Sequence, residues 1–359
     1  MVPDMDTNGG FEPVFCTIVP PHVLDRLARH EDSALATPAR RTLERDALER
    51  TRRRLTTVIG AVAAAPPAAG AGTPHRTVYD ARHQQDLPGT KVRGEGDAAG
   101  EDASVNRAYA GLGATFELYL RAYGRDSIDG RGLPLDASVH FGENYDNAFW
   151  NGEQMVFGDG DGEVFVDFTS SVDVIGHELT HGVTQYTANL AYFGQSGALN
   201  ESLSDVFGSL IKQYSLGQTA AEADWLIGAG LLAPRVHGTA LRSMKEPGSA
   251  YDDEALGKDP QPGTMDGYVH TGQDNGGVHI NSGIPNHAFY LVAAELGGHA
   301  WERAGQIWYD VLTGGELESQ ADFADFARLT AAAARTRYRE GPELEAVLKA
   351  WEQVGLETS

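Results

Sequence analysis

The amino-acid sequence predicts an α+β fold of two lobes, mainly β and then mainly α, preceded by a small helical segment. Three observations carry this. Short β-prone runs broken by Gly, Asn and Asp fill residues 77–171. After Asp173, apolar residues recur at helical spacing almost to the end of the chain. Ahead of both, AVAAAPPAAGAGT from Ala61 to Thr73 has the composition of an exposed linker and sets residues 1–60 apart. A length of 359 residues accommodates two domains and an appendage, at roughly 100–200 residues per domain.

Pattern begins at Phe15-Cys16-Thr17-Ile18-Val19-Pro20-Pro21-His22-Val23-Leu24, where the double proline sets an extended entry into a helix with Val23, Leu24 and Leu27 on one face. A second helical pattern places Leu43, Leu48 and Leu55 among Arg40, Arg41, Arg45, Arg50, Arg52, Arg53 and Arg54. A charge run of this kind is ordinarily a solvated helix face. Here it is tethered by a linker to a body so acidic that the whole chain carries a formal charge of -23, so residues 1–60 read as a detachable prosegment that docks by charge complementarity. The processing site falls within 61–76 on this reading.

In the β lobe, expected at 77–171, the runs Arg76–Asp80, Ser138–Phe141, Gln154–Phe157 and Glu163–Phe168 read as strands. Ser104–Tyr123 reads as a helix with Tyr109, Leu112, Phe116, Leu118 and Leu120 at its spacing. Gly158-Asp159-Gly160-Asp161-Gly162 lacks the remainder of an EF-hand pattern and reads as a hairpin turn. The α lobe, expected at 172–359, shows helical segments near 172–188, 200–215, 282–296, 301–312, 320–338 and 342–353. The two lobes would meet at the first of these helices, with a cleft between them.

Composition excludes several functions. The negative charge opposes a nucleic-acid backbone, which is bound through Lys and Arg. No apolar run approaches the roughly 20 residues that span a bilayer. Cys16 is the only cysteine, so no intrachain disulfide forms. The N-terminal MVPDMDTNGGFEPVF has no basic patch and apolar run, so no signal peptide is expected. A cytoplasmic protein as synthesised is the expectation, with export by a non-standard route as the alternative.

The chemistry centres on Val174-Ile175-Gly176-His177-Glu178-Leu179-Thr180-His181. Two histidines four apart on a helix face one way and can hold one metal ion, with the intervening glutamate beside it. Zinc at a catalytic site takes three protein ligands, and Glu201 in Asn200-Glu201-Ser202-Leu203-Ser204-Asp205 is the candidate third. Asp205 and Asn200 are placed to accept hydrogen bonds from the two imidazoles, and Glu178 would serve as general base on the attacking water. An acid near a helix N-terminus is the competing reading of Glu201 and Asp205.

The His-Glu-x-x-His motif, nineteen residues, then Glu within Asn-Glu-x-x-Ser-Asp, closely resembles the thermolysin-like (M4-type) zinc metallopeptidases. The likeness runs from about Thr77 to the C-terminus. It implies that Asn147 and Ala148, in Asn147-Ala148-Phe149-Trp150-Asn151-Gly152, contact the substrate backbone beside Trp150. It also implies an oxyanion-stabilising His279 oriented by Asp274, an assisting Tyr192, and an Arg242 that binds the substrate carbonyl. Phe165, Phe168, Val174, Ile227, Leu231 and Leu241 would line an apolar pocket for the residue after the scissile bond. Burying such a side chain is worth roughly 1.5–3 kcal/mol, enough to set a preference for Leu, Phe, Ile or Val.

Val19-Pro20-Pro21-His22-Val23-Leu24 is similar to the short propeptide of the protealysin-like branch, which implies an inhibited, self-processing precursor. The Cys16 thiolate could cap the zinc in that state, against the plainer reading of a packed thiol. Paired calcium ions are not expected: Asp173 and Asp224 fit the family's acidic cluster, but Lys212, Leu226 and Ala229 stand where further acids would be needed. The expectation is a monomeric zinc endopeptidase whose partners are a peptide or protein substrate and its own prosegment. A non-catalytic binding module on the same fold and a zinc aminopeptidase are the alternatives.

Overall fold

The computed structural model describes residues 16–59 and 72–358. Pro20 and Pro21 start the first helix, α1 (Pro21–Ala28), because a proline in the first turn forgoes only an N–H that has no partner there. Val23, Leu24 and Leu27 are buried, as the spacing predicts. The second helix, α2 (Ser33–Ile59), departs from its leucine pattern. Its buried face is Leu35, Ala36, Ala39, Thr42, Arg45, Asp46 and Glu49, whereas Leu48 is 56% exposed. That face is polar because what it covers is polar. Thr42 Oγ1 accepts from Asp146 N at 3.0 Å, Arg45 donates to Gln85 Oε1 at 2.8 Å, and Asp46 accepts from Tyr145 Oη at 2.5 Å. The side chains of Arg54 and Leu55 and the linker with its processing site lie outside the described residues.

The β lobe holds β1 (Arg76–Asp80), β2 (Thr90–Gly94), the long helix α3 (Ala103–Tyr123), β3 (Leu135–Val139), β4 (Ala148–Trp150) and β5 (Met155–Phe157). Asp102 caps α3 by accepting from Ser104 N and Val105 N, and Gly124 ends it at φ 67, where a side chain would be strained. The sheet runs β2-β1-β3-β5-β4, with β1–β3 and β3–β5 parallel and β4 antiparallel to β5. This order leaves β4 on an edge, with one side of its backbone available to another extended chain.

Glu163–Phe168 is not a strand. Asp161 Oδ1 accepts from Glu163 N, Val164 N and Phe165 N at 2.9, 2.7 and 3.1 Å, and these bonds curl the run back on its own loop. Phe165 keeps one bridge, to Leu232. Gly158–Gly162 is therefore a tight loop and not a hairpin turn, with Asp159 spent on His140 Nδ1 at 2.8 Å.

The α lobe contains α4 (Val172–Gln185), α5 (Gly194–Leu216), β6 (Leu226–Ile227), β7 (Arg242–Ser243), β8 (Asp252–Asp253), β9 (Gly257–Lys258), α6 (Asp274–Asn281), α7 (Gly283–Leu296), α8 (Ala304–Thr313), α9 (Phe323–Tyr338) and α10 (Pro342–Gln353). The last four pack around Phe289, Trp308, Phe326 and Trp351, all buried. Glycine sets the crossing of α4 and α5. A Cβ at Gly208 would lie 2.5 Å from Asp173 O, and one at Gly176 would lie 3.2 Å from Gly208 Cα. The helix carrying the two histidines thus sits close against the helix carrying Glu201, the backbones meeting at Gly176 and Gly208 with Ile211 packed beside Gly176. No described helix is long and apolar enough to cross a membrane.

Where the resemblance places a calcium cluster, the Lys212 ammonium reaches Asp173 Oδ2 at 3.1 Å, Asp224 Oδ1 and Oδ2 at 2.9 and 2.8 Å, and Leu226 O at 3.3 Å. The chain supplies its own cation there.

Candidate active site

His177 and His181 are buried one turn apart on α4. His177 Nδ1 lies 2.8 Å from Asp205 Oδ1, and His181 Nδ1 lies 2.8 Å from Asn200 Oδ1. Both partners are acceptors, so each Nδ1 carries the proton and each Nε2 presents a lone pair. The two Nε2 atoms are 3.1 Å apart, a repulsive arrangement that a shared cation would relieve. Glu201 on α5 places Oε2 3.6 Å from His177 Nε2 and Oε1 3.5 Å from His181 Nε2, and Oε2 is buried without a hydrogen-bond partner. With Cys16 Sγ, these ligand atoms all lie within 4.8 Å of one another. A borderline-soft set of nitrogen, sulfur and carboxylate donors suits zinc.

The charges around this cluster are arranged by burial and by neighbours. Burial by itself would raise the Glu201 carboxyl, but His279, His181 and His177 overcome it and hold it down at about 2. Burial lowers the His181 imidazole to about 4, which keeps it neutral as a ligand must be. Glu178 Oε2 accepts from Trp150 N at 3.1 Å while Oε1 is buried with no partner. Its burial, reinforced by the Glu201 charge, pushes the carboxyl well above the carboxylate range.

His279 follows a left-handed turn in which Asn275, Gly276 and Gly277 have φ of 49°, 85° and 80°. That turn brings Asp274 Oδ2 to His279 N at 2.9 Å and Asp274 Oδ1 to His279 Nδ1 at 2.6 Å. Burial lowers the His279 imidazole, but Asp274 and Glu201 outweigh it and raise it to about 9. Tyr192 Oη donates to Glu201 Oε1 and stands 3.3 Å from His279 Nε2. Arg242 on β7 grips Asp205 with two bonds, Nε to Oδ2 at 2.9 Å and Nη2 to Oδ1 at 2.8 Å, and points Nη1 into the cleft.

The cleft holds part of the chain itself. Ile18 N donates to Ala148 O at 3.1 Å, Val19 N donates to Asn147 Oδ1 at 3.0 Å, and Arg242 Nη1 donates to Ile18 O at 3.1 Å. Cys16 Sγ lies 2.9 Å from Glu201 Oε1 and 3.5 Å from His279 Nε2. Burial, then the Glu201 and Glu178 charges, push the thiol well above its ordinary value, so without a cation it stays protonated.

The apolar residues expected to line a pocket are all buried and belong to the same core cluster as Ile18 and Val19. The Phe165 and Phe168 rings meet at a tilt of 43° with centroids 5.7 Å apart, and Ile227 pairs with Arg242 across β6–β7. A Cβ at Gly228 would meet Leu241 and Leu231 at 2.9 and 3.1 Å, and Val174 joins the same core cluster from α4.

Sequence reasoning missed the outer supports. Asn286 Nδ2 donates to Asp205 Oδ2 at 2.8 Å, and Gln261 Nε2 donates to His279 O at 2.8 Å. Asp46 of α2 accepts from Asn147 Nδ2 at 3.0 Å. Each partner lies far along the chain, so no local spacing announces it. The prosegment arginines also differ from a pure charge match. Arg26 donates to Ala255 O and Glu254 O, and Arg53 donates to Gln185 Oε1, so hydrogen bonds to neutral oxygens supplement the charge.

Residues 70–185 match the thermolysin metallopeptidase catalytic domain, and residues 188–356 match the thermolysin metallopeptidase α-helical domain. The chain belongs to the thermolysin metallopeptidase family. It is similar to an extracellular metalloprotease of Pectobacterium carotovorum subsp. carotovorum, 57% identical over 287 residues that cover 80% of this chain and 82% of the relative. Thermolysin of Alicyclobacillus acidocaldarius subsp. acidocaldarius is 38% identical over 289 residues, covering 77% of this chain and 50% of that longer protein. Among solved structures, the precursor of protealysin, a metalloproteinase from Serratia proteamaculans, superposes with a TM-score of 0.87 at 51% identity, covering 95% of this chain and 99% of that one.

A thermolysin-family chain with this cluster is a zinc metalloendopeptidase with a propeptide, the activity expected from the sequence. The expected location is corrected. The Pectobacterium relative, and a Serratia marcescens relative 50% identical over 200 residues, are both named as extracellular metalloproteases, which points to secretion and away from the cytoplasm. A single cysteine forms no intrachain disulfide in either compartment, so the cysteine count carried no information about location.

Proposed function

We propose that His177, His181 and Glu201 hold the zinc, and that the cleft cuts peptide bonds on the N-terminal side of bulky apolar residues. The observation that carries this is the seating of Cys16–Val19. An extended peptide adds to the edge of β4 through Ala148 O and Asn147 Oδ1 while Arg242 takes its carbonyl, which is strand addition with a side-chain clamp. Cys16 and Thr17 precede Ile18 and Val19 follows it, so the seated chain runs on both sides of the bond ahead of Ile18, with two residues where an aminopeptidase takes one. Ile18, fully buried beside β7, takes the seat of the residue after the scissile bond.

Zinc bound there supplies a Lewis acid that polarises the scissile carbonyl and acidifies a water. The residues do the rest. Glu178 takes the water's proton and passes it to the leaving amine. His279, kept protonated by Asp274, and Tyr192 donate hydrogen bonds to the developing oxyanion. Asn147, Ala148 and Arg242 hold the backbone in register, while Phe165, Phe168, Val174, Ile227, Leu231 and Leu241 receive the apolar side chain.

Residues 1–60 are the propeptide in this reading, 61–76 the linker that is cut, 77–171 the β lobe and 172–359 the α lobe. Cys16 Sγ fills the space against Glu201 and His279 that the water and scissile carbonyl need, and it is a fourth donor for the zinc in the latent state. The test uses the enzyme recovered after self-processing of the full chain, with peptides blocked at the N-terminus. Leu after the bond is expected to be cut at least about tenfold faster than Gly, and a chelator should remove both activity and about one zinc per chain. Cleavage only at a free N-terminus, or activity unaffected by metal removal, would overturn the assignment.

A further inference from the structure

Arg53 of the prosegment meets the catalytic lobes at the far end of β4. Its Nη2 donates to Gln185 Oε1 at 2.6 Å, and a Cβ at Gly152 would collide with its guanidinium. Gln185 is the last residue of α4, one turn beyond His181 and on the same face of the helix. A Cβ at Gly182 would lie 3.4 Å from Trp150 Cε2, so the end of α4 is packed on the end of β4. Gly152 follows Trp150 by two residues, where the chain turns from β4 toward β5 and Asn151 N donates to Gln154 O at 3.2 Å.

The surroundings suit a cation. The Gln185 amide oxygen accepts from the guanidinium, the C-terminal end of a helix favours positive charge, and the Glu153 charge acts on the same group. Gly152, at φ 102, carries no side chain where the guanidinium sits, and any side chain there would be strained. A planar guanidinium lies flat on such a bare backbone, which favours Arg over Lys. Gln185, Gly152 and Glu153 all belong to the catalytic lobes, so the seat remains when the prosegment leaves.

The direction of the seated segment says which part of a substrate reaches it. Ile18 N bonds Ala148 O and Val19 N bonds Asn147 Oδ1, so the peptide runs antiparallel to β4, and each step back from Ile18 is a step forward along the strand. A substrate in this register sets its second residue ahead of the scissile bond opposite Trp150 and its fourth opposite Gly152. Directly opposite residues share a face of the pair, so the fourth side chain projects to the side on which Gly152 lacks its own. Because the chain turns at Asn151, the third residue also comes within reach.

We propose that Gln185, Gly152 and Glu153 form a substrate subsite for a cationic side chain, Arg above all, three or four residues ahead of the scissile bond, and that Arg53 fills it in the precursor. The substrate class then becomes a peptide basic upstream of the cut and apolar just after it. This rests on the endopeptidase reading of the cleft.

The test uses the self-processed wild-type, Gln185→Leu and Gln185→Glu enzymes on peptides blocked at the N-terminus. Leu is held after the bond, and Arg, Leu or Gly is placed third or fourth ahead of it. At one of those positions wild type should favour Arg over Leu about five- to tenfold in kcat/KM, mainly through KM. Q185L should bring that preference below about twofold, and Q185E should raise it about threefold or more. A wild-type preference below about twofold at both positions overturns the proposal, as does a preference that neither variant moves, or one that falls in step with the preference for Leu over Gly after the bond. Failure of the wild type to cut any of these peptides overturns the endopeptidase reading with it.

Discussion

Glu178 is a carboxyl group with one oxygen held by Trp150 N and the other buried without a partner. A carboxyl so placed gains from any proton it takes, which is what a base in a dry cleft requires. Glu178→Gln should keep the fold and the metal but lose about 10³-fold in kcat; metal analysis alongside turnover checks both, and a loss under about tenfold would remove Glu178 from the base role. Cys16 makes a separate prediction. Cys16→Ser replaces a soft donor with a poor one, so the precursor should process several-fold sooner and its zinc should lose any sulfur signature in X-ray absorption. Unchanged latency together with an unchanged spectrum would return Cys16 to the status of a packed thiol. At this scale the residues were legible wherever two of them share a helical turn. His177 with His181, and Asn200 with Glu201 and Asp205, are such sets. Asn286 and Gln261 were not, because what makes them matter is a contact across 81 and 18 residues of chain.

Elements were legible in kind more than in facing. The helices near 172–188 and 342–353 are found within a few residues of their expected bounds as Val172–Gln185 and Pro342–Gln353. Two runs went otherwise, for reasons a periodicity does not carry. Glu163–Phe168 has strand-like residues, but a single aspartate accepting three backbone N–H groups offers its backbone a better local partner. In α2 the leucine stripe points partly outward because the surface it docks on presents Tyr145, Asn147 and Gln85. Lys212 on α5 shows the same dependence on what lies opposite. Its neighbour Asp173 is fully buried, so Lys212→Met strands that carboxylate and should destabilise the protein by about 3 kcal/mol, read from denaturant unfolding. Wild-type unfolding should respond little to calcium, since the ammonium already bridges Asp173 and Asp224 and occupies the place between them. A large calcium stabilisation would sink that account.

The whole molecule is a precursor whose prosegment buries two titratable groups with opposite consequences. His22, 3.2 Å from Tyr251 Oη, is lowered by burial from 6.5 to about 4, with Asp274, His279 and Arg242 as the charges nearby. Asp46 is raised by burial from 3.8 to about 7, helped by the Glu49 charge and opposed by Tyr145, Asn147 and Arg50. The undocked His22 binds a proton that the docked one refuses, so docking is undiminished above pH 6.5 and weakens as pH falls toward 4. Docked Asp46 binds a proton that the undocked one has lost, so docking strengthens as pH falls from 7 toward 3.8. The two slopes oppose each other, and wild-type latency should vary little across that window. Asp46→Asn should leave latency weakening with acid, and His22→Asn should leave it strengthening, each measured as the active fraction of precursor against pH. Parallel profiles for the two variants would refute the opposition. The sequence by itself determined the lobes, the histidine pair, its glutamate and a basic segment on a linker, because helical spacing, ligand type and composition are local properties of a chain. Only the tertiary structure decided which way α2 faces, where Cys16 comes to rest and what supports Asp205. Each of those is a meeting of distant segments, and such a meeting is set by the packing of the whole, above all by the glycine crossing of α4 and α5 that carries the cleft.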